Sequence, residues 1–450
     1  VLTREQMLAT FAPQKRPYRH LVGFEYEIIC LDPQTLRPLQ YEGPHGLRAL
    51  LEAAARHGDG ELLEVDGDFV SKVKLPDGGL LSLEPGGQLE FSSAPRETFQ
   101  GALDQFSWFL GLLEHLKRQH PLHYFYGGLE PVHTVDEIGL VTRSRRYQIM
   151  NDYFPRVGKL GRRMMRQSCS IQISFDFDER LKGHDLLRTA MYVAPFAGAL
   201  LANSPYVDGK PTGYCCYRVP IWADTDPARS GPLAGFTRQD YGFEDYLDHV
   251  LAAPMFFVQT PEGMVDAGGM TFDTYLRRGF HGQQASYDDF LTHNSTIFND
   301  VRLKNTVEVR TVDAQDPALL PSVLALLCGI LHCERARLRS RLLLGRYSET
   351  DYRELTRRLA REGIGGELGG GPVRETLLQL IDLAAMGLPN CFPDGDEAAD
   401  HLEPLRQLAR AGLTPADVVL RRHGDRPEGW LRAGRTFDAT PGEPAVLDLD

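Results

Sequence analysis

Apolar positions along the chain follow two periods, and the switch between them marks the elements. Leu47, Leu50, Leu51 and Ala54 recur at helical spacing and predict a helix over 47–57. Leu103, Phe106, Leu110, Leu113 and Leu116 do the same within 97–119. Between these helices the period falls to two. Leu62 to Leu75 and Gly79 to Phe91 alternate as the strands of hairpins do, with Asp77-Gly78-Gly79 as a turn. Alternation returns at Cys169 to Asp178, with Ile171, Ile173, Phe175 and Phe177 on one face and Gln172, Ser174, Asp176 and Asp178 on the other. Helices are predicted at 183–202, ahead of Asn203-Ser204-Pro205, and at 317–337, opened by Asp316-Pro317. Beyond about residue 340 the pattern is mostly helical and charged. Gly363 to Gly371, with six glycines in nine residues, reads as a flexible connection. Strands rarely alternate one for one with helices, so the expected fold is α+β around a mainly antiparallel sheet with helices packed outside. Residues 1–340 form one unit in this reading, and 341–450 a mostly helical part packed on it.

Three of the alternating segments carry an acid two residues from another acid, an amide or an arginine: Gly23-Phe24-Glu25-Tyr26-Glu27, Glu84-Pro85-Gly86-Gly87-Gln88-Leu89-Glu90, and Glu308-Val309-Arg310. A strand sends residues i and i+2 to the same side, so Glu25 with Glu27, Gln88 with Glu90, and Glu308 with Arg310 each line one face. A wet sheet face gives the same spacing. It usually mixes Lys, Thr and Ser with its acids, whereas these positions are almost all Glu and Gln. Carboxylates held that close repel unless a cation lies between them. Hard oxygen donors suit Mg²⁺, which bridges carboxylates to phosphates. The paired glycines Gly86 and Gly87 would let backbone N–H groups approach a ligand. The pattern implies metal-assisted chemistry on a nucleotide.

Composition narrows the partners. The chain has 450 residues, 42% of them hydrophobic and 24% charged, as in an ordinary globular protein. Its 49 basic and 61 acidic residues give a net charge of −12, which argues against nucleic acid or an anionic membrane as partner. The seven cysteines form no Cys-x-x-Cys pair and are odd in number, so neither a zinc site nor a disulfide framework is indicated. Reduced thiols and an N-terminus without a secretory apolar run lead to the expectation of a cytoplasmic protein. No Walker A or Gly-x-Gly-x-x-Gly sequence is present. A nucleotide would therefore be held by metals and scattered basic groups: Arg146, Arg163, Arg166, Arg218, Arg229, Arg302, Lys304 and Arg310 are the candidates, with Arg310 singled out by the strand face it shares with Glu308.

An ordered series of segments resembles the plant and proteobacterial type of glutamate–cysteine ligase. It runs through Ser82-Leu83-Glu84-Pro85-Gly86-Gly87-Gln88, Arg146-Tyr147-Gln148-Ile149-Met150, Val157-Gly158-Lys159-Leu160-Gly161, Leu201-Ala202-Asn203-Ser204-Pro205, Ile221-Trp222-Ala223-Asp224, Gly269-Met270-Thr271-Phe272 and Val301-Arg302-Leu303-Lys304. The resemblance implies a glutamine-synthetase-like sheet curved into a funnel, with residues 1–340 as the ATP-dependent carboxylate–amine ligase domain. It implies activation of the L-glutamate γ-carboxylate by ATP, then attack by the amino group of L-cysteine. It further implies two or more Mg²⁺ ions, or Mn²⁺ in their place, on Glu25, Glu27, Glu84, Glu90 and Glu308. Gln172, Gly86, Gly87 and Gln88 would lie at the nucleotide, Arg310, Glu308 and Lys304 at the reacting phosphate, and Arg218, Trp222, Tyr147, Met150 and Arg146 around the amino acid. Partners would be small molecules only, for a monomer or a homodimer. Ser174, Thr311-Val312-Asp313-Ala314-Gln315 and His293-Asn294-Ser295-Thr296 depart from the plant pattern, the second towards the actinobacterial ergothioneine-pathway ligase of the same superfamily. These departures leave the acceptor amine open between cysteine and another amine. An inactive nucleotide-binding paralogue and an ATP:guanidine phosphotransferase on a related sheet are the remaining alternatives.

Overall fold

The computed structural model describes residues 2–12, 19–64, 69–261, 263–368 and 371–437. Its centre is a nine-stranded sheet of β1 (Gly23–Leu31), β2 (Glu61–Glu64), β3 (Val70–Lys74), β4 (Leu80–Leu83), β5 (Leu89–Ser92), β6 (His123–Phe125), β7 (Ser170–Phe175), β8 (Val301–Leu303) and β9 (Val307–Asp313). The order is β8-β9-β7-β1-β5-β4-β3-β2, and β6 pairs with the far end of β1. Every pairing in it is antiparallel, as the alternating pattern leads one to expect.

Two successive hairpins are built alike. In Leu75-Pro76-Asp77-Gly78-Gly79 and in Glu84-Pro85-Gly86-Gly87-Gln88, proline takes the first turn position and a glycine with φ near +90° closes the loop. The fourth residue donates to the first (Gly78 to Leu75, 3.1 Å; Gly87 to Glu84, 2.8 Å), and the ladder resumes one residue later. These turns set the register that places Ser82 opposite Glu90.

The side of the sheet away from the acids is apolar. Phe24, Tyr26 and Ile28 of β1, Phe91 of β5 and Ile171 and Ile173 of β7 are buried there. The helix Phe99–Gln119 packs on them, with Phe109 stacked on Phe91 at 4.6 Å and Phe106 edge-on to Tyr26 at 5.0 Å. Each such side chain contributes roughly 1.5–3 kcal/mol by its burial. The helices Arg180–Leu200 and Leu320–Leu331 extend the layer behind β7 and β9. Tyr352, Leu355, Leu380, Leu405 and Leu408, from helices after residue 340, join the same apolar cluster.

Two expected elements differ. The single helix expected over 317–337 is a 3₁₀ turn, Pro317–Leu319, followed by Leu320–Leu331 and, after a 90° bend, Glu334–Leu344. Arg337 causes the break: Nη1 donates to the carbonyls of Leu331 (2.7 Å) and His332 (3.0 Å), ending the first helix with a buried guanidinium. In the glycine-rich stretch, Glu367–Leu368 pairs antiparallel with Gly371–Pro372, a hairpin rather than a loose connection; Gly369 and Gly370 lie outside the described residues. Among the described residues no single helix is long and apolar enough to cross a membrane.

The last described residues are tied down just beyond β9 by Asp316, whose Oδ2 accepts from the N–H groups of Thr436 (2.7 Å) and Phe437 (3.1 Å). Burial outweighs these donors and pushes its carboxyl up to about 7. A carboxyl raised on folding contributes stability that is present at low pH and is lost as pH rises from its unfolded value, near 4, through 7. Thermal unfolding of Asp316→Asn should show this: its Tm relative to the parent should climb between pH 5 and pH 7.5 and then level off. A constant difference would refute the assignment.

Candidate active site

The acids lie together because of strand register. Glu27 stands opposite Glu90, Glu25 opposite Gln172, and Glu308 opposite Ser174 on one side and Arg302 on the other. Opposed residues of antiparallel strands project to the same side, so all of them share one face. Over that face lies a cavity of about 270 Å³. Glu25, Glu27, Glu84, Glu90, Gln88, Gln172 and Arg310 line it from the sheet and its hairpins. Arg146, Tyr147 and Met150 enter from the helix Arg145–Val157, and Arg218 and Trp222 from the helix Arg218–Ala223. Twelve of the residues singled out from the sequence thus meet around one space, although they span positions 25 to 310.

Four of the carboxylates are poorly compensated. Burial, then the charges of Glu90 and Glu308, push the Glu25 carboxyl up to about 7. Glu84 is pushed well above the usual range by burial and by Glu90. Burial raises Glu90 too, followed by Glu27. Glu27 is raised by burial against the pull of Arg218 and of the Ser170 N–H, which donates to Oε2 at 2.7 Å. Glu308 behaves in the opposite way. Burial would raise it, but Arg302 (2.7 Å), Lys304 (2.8 Å) and Arg310 (2.9 Å) hold it well below the usual carboxylate range. Both of its oxygens are engaged by the protein's own cations, and neither it nor Lys304 lines the cavity. Glu308 therefore anchors Arg310, whose Nη1 also donates to Gln172 Oε1.

No three His, Cys, Asp or Glu side chains among the described residues converge into a ready-made metal cage. Mg²⁺ does not require one, since it commonly binds through one or two carboxylates and completes its shell with water and substrate phosphates. Four cavity-lining carboxylates with raised pKa values, Glu27 and Glu90 buried and Glu25 and Glu84 partly so, supply the right donors, and their repulsion is what a cation relieves. The residues fit the ion.

Arg218 is held by a residue that the sequence did not single out. Its Nη1 donates to Asp313 Oδ1 at 2.9 Å, with both side chains buried. Asp313 also accepts from the Asn203 N–H and the Ser204 hydroxyl, each at 2.7 Å. Strict alternation along β9 from Glu308 would turn Asp313 away from this face. A bulge prevents it: Val309 pairs with Ile173 but Val312 with Ile171, so Arg310 and Thr311 together oppose Gln172. Thr311 turns to the Ala194 carbonyl (2.9 Å), Val312 returns to the core, and Asp313 reaches the site side. Sequence spacing carries no signal for the bulge. Arg302 was legible, because Arg302 and Lys304 precede the turn at Asn305-Thr306 as Glu308 and Arg310 follow it.

Gly86 and Gly87 do not line the cavity, contrary to the expectation that their backbone would approach a ligand. A Cβ on Gly86 would lie 2.2 Å from the Arg166 carbonyl, and one on Gly87 2.7 Å from Leu47. Close packing on the helix Gly161–Gln167 and the φ of +88° at Gly87 account for them. Gln88 braces the same turn, accepting from the Gly86 N–H (3.0 Å) and donating to the Ser168 carbonyl (2.9 Å).

The fold resembles that of a glutamate–cysteine ligase from Francisella tularensis determined in complex with AMP, with a TM-score of 0.55 and 13% identity over 94% of this chain and 90% of that one. The chain belongs to glutamate-cysteine ligase family 2 (GCS2), whose sequence model matches residues 21–434. It is 30% identical over 426 residues to the chloroplastic glutamate–cysteine ligase of Arabidopsis thaliana, covering 94% of this chain and 80% of that protein. It is 31% identical over 442 residues to the chloroplastic enzyme of Nicotiana tabacum, covering 97% and 82%. These relatives overturn the expectation of a cytoplasmic protein, since both are chloroplastic. That expectation rested on unpaired cysteines, which do not separate one reducing compartment from another.

The carboxylate cluster gives a measurable signature. Glu25 is raised on folding, so its penalty is absent below its unfolded value, about 4.5, and grows as pH rises through 7. Mg²⁺ should raise the Tm of the nucleotide-free protein more at pH 8 than at pH 5.5. Glu90→Gln should raise the Tm without Mg²⁺ at pH 8 and shrink the Mg²⁺ increment. An increment independent of pH in both proteins would count against the cluster as a cation site.

Proposed function

We propose that this chain uses ATP to join the γ-carboxylate of L-glutamate to the amino group of L-cysteine, through γ-glutamyl phosphate, giving γ-glutamylcysteine, ADP and phosphate. One observation carries the assignment of the site: four under-compensated carboxylates lie beside Arg310 and Arg218, each of which is held by a buried acid. Residues 1–340 supply the reacting groups and the described residues after 340 pack against them, in a monomer or a homodimer.

Glu25, Glu27, Glu84 and Glu90 would hold Mg²⁺, or Mn²⁺ in its place, against the phosphates of ATP. When bound, the ion would supply positive charge to neutralise that of the phosphates. Arg310, fixed by Gln172 and Glu308, reaches the phosphoryl group as it passes to the γ-carboxylate and stabilises its charge. A guanidinium fixed in advance costs little reorganisation during the reaction. Arg218, fixed by Asp313, retains a buried Nε without a partner among the described residues and binds a carboxylate of glutamate. Tyr147, Met150 and Trp222 form the apolar side of the cavity and keep water from the acyl phosphate. Arg146 donates to Ser295 (3.2 Å) beside them and adds positive charge near Glu84.

The test is purified protein with Mg²⁺, ATP and L-glutamate against a panel of amino acids and amines, with phosphate release followed and products read by mass spectrometry. Cysteine-dependent phosphate release with γ-glutamylcysteine as product is expected. Release that needs another amine and ignores cysteine would sink the cysteine assignment. Glu308→Gln should lower kcat at least 100-fold, because Arg302, Lys304 and Arg310 lose their shared anchor. Full activity in that variant would refute the role given to Arg310.

A further inference from the structure

A second cavity, of about 300 Å³, adjoins the first and shares Arg218, Trp222, Phe298 and Arg310 with it. Its character differs. Pro195, Ala199, Val219 and Ala360 make it largely apolar, and one acid, Asp300, lines it. The Asp300 backbone is fixed, with its N–H on the Gly231 carbonyl (3.1 Å) and its own carbonyl accepting from Arg310 (3.0 Å). Its carboxylate forms no ion pair and no hydrogen bond among the described residues, and the residue is only partly exposed. The charged groups nearest to it are Arg218, Arg353 and Arg310. Arg353 comes from the helix Glu349–Glu362, where a long 3.4 Å contact to Glu349 leaves it half exposed at the cavity.

We propose that this second cavity receives the acceptor amine, that Asp300 binds the acceptor's ammonium group and takes the proton released on attack, and that Arg353 binds the acceptor's carboxylate. The inference rests on the ligase reading above and adds a binding place and a base to it. A carboxylate that forms no ion pair among the described residues gains from a positive charge brought into contact with it. Asp300 and Arg353 both line the pocket, close enough for their charges to interact, and this opposed pair matches the zwitterion of an α-amino acid, whereas an adenine ring offers neither charge. Arg310 lines both cavities, so an amine on Asp300 lies beside the place where the acyl phosphate forms.

The step balances. Asp300 takes one proton from the ammonium, which frees the nitrogen lone pair. That nitrogen forms a bond to the γ-carbonyl carbon, and the C–O bond to phosphate breaks with its electron pair leaving on phosphate. The nitrogen's second surplus proton leaves with the phosphate. Burial holds the Asp300 carboxyl up at about 6, close to working pH as a general base requires.

Hydroxylamine separates this role from the rest of the reaction, because it is a strong, mostly uncharged nucleophile at neutral pH and traps acyl phosphates without a base or a fitted pocket. Asp300→Asn should lower kcat/KM for cysteine at least 100-fold, while hydroxamate formation from glutamate, Mg²⁺-ATP and hydroxylamine stays within threefold of the parent. Arg353→Ala, on a half-exposed helix face, should raise KM for cysteine about tenfold and leave KM for glutamate and ATP unchanged. Equal losses with cysteine and hydroxylamine in Asp300→Asn would overturn the proposal. A raised KM for ATP alone, which would mark an adenine pocket, would overturn it too. Absence of hydroxamate in the parent protein would instead refute the ligase reading on which the proposal rests.

Discussion

Like charge held in common burial is the constraint from which the rest of this structure follows. Glu25, Glu27, Glu84 and Glu90 face one space because antiparallel register puts them there, and every one of their carboxyls is raised. Moving one carboxyl from 4.5 to about 7 corresponds to a penalty on the order of 3 kcal/mol at neutral pH. One or two buried aromatic side chains offset that amount. The apolar back of the sheet, with Phe91 on Phe109 and Tyr26 on Phe106, is therefore more than support for the strands. It holds the strands at a spacing that the charges alone would open.

Glu308 shows that the strain is a property of position and not of residue type. It lies on the same face, yet Arg302, Lys304 and Arg310 surround it and its carboxyl is depressed. Removing one partner from such a cluster leaves an uncompensated buried charge, usually at a cost of several kcal/mol. The face thus divides into a compensated end that fixes an arginine and an uncompensated end that attracts a cation. Substrate phosphate bound between them would meet positive charge from both sides.

The antiparallel sheet and most of the acid-lined wall were legible because both obey period two. Glu25, Glu27, Glu90, Gln172 and Arg310 occupy the face that alternation assigns, and Pro and Gly at fixed turn positions set the register of β4 on β5. What alternation could not supply were departures from it and contacts between distant segments. The break at His332 depends on Arg337 folding back onto carbonyls of the preceding helix, a tertiary hydrogen bond invisible to periodicity. Gly86 and Gly87 looked like ligand-approach residues because a glycine that packs on a helix and one that cradles a ligand are identical in sequence; only the distance to Arg166 separates them.

The bulge in β9 is the departure with the largest consequence. By letting two residues oppose Gln172, it moves Asp313 to the site side and leaves Arg310 in place, so one strand fixes two guanidiniums, Arg310 through Glu308 and Arg218 through Asp313. Those two arginines are shared by both cavities. The acid-lined cavity draws chiefly on strands and turns, so its chemistry was written at regular spacing. The second draws on Pro195, Val219, Asp300, Arg353 and Ala360, from helices and connections with no common period. The same asymmetry explains why the lining of the acid-lined cavity could be read from the sequence while most of the second cavity's lining could not. The chain encodes the first in the repeat of a sheet and the second in the way helices and connections far apart in sequence meet beside it.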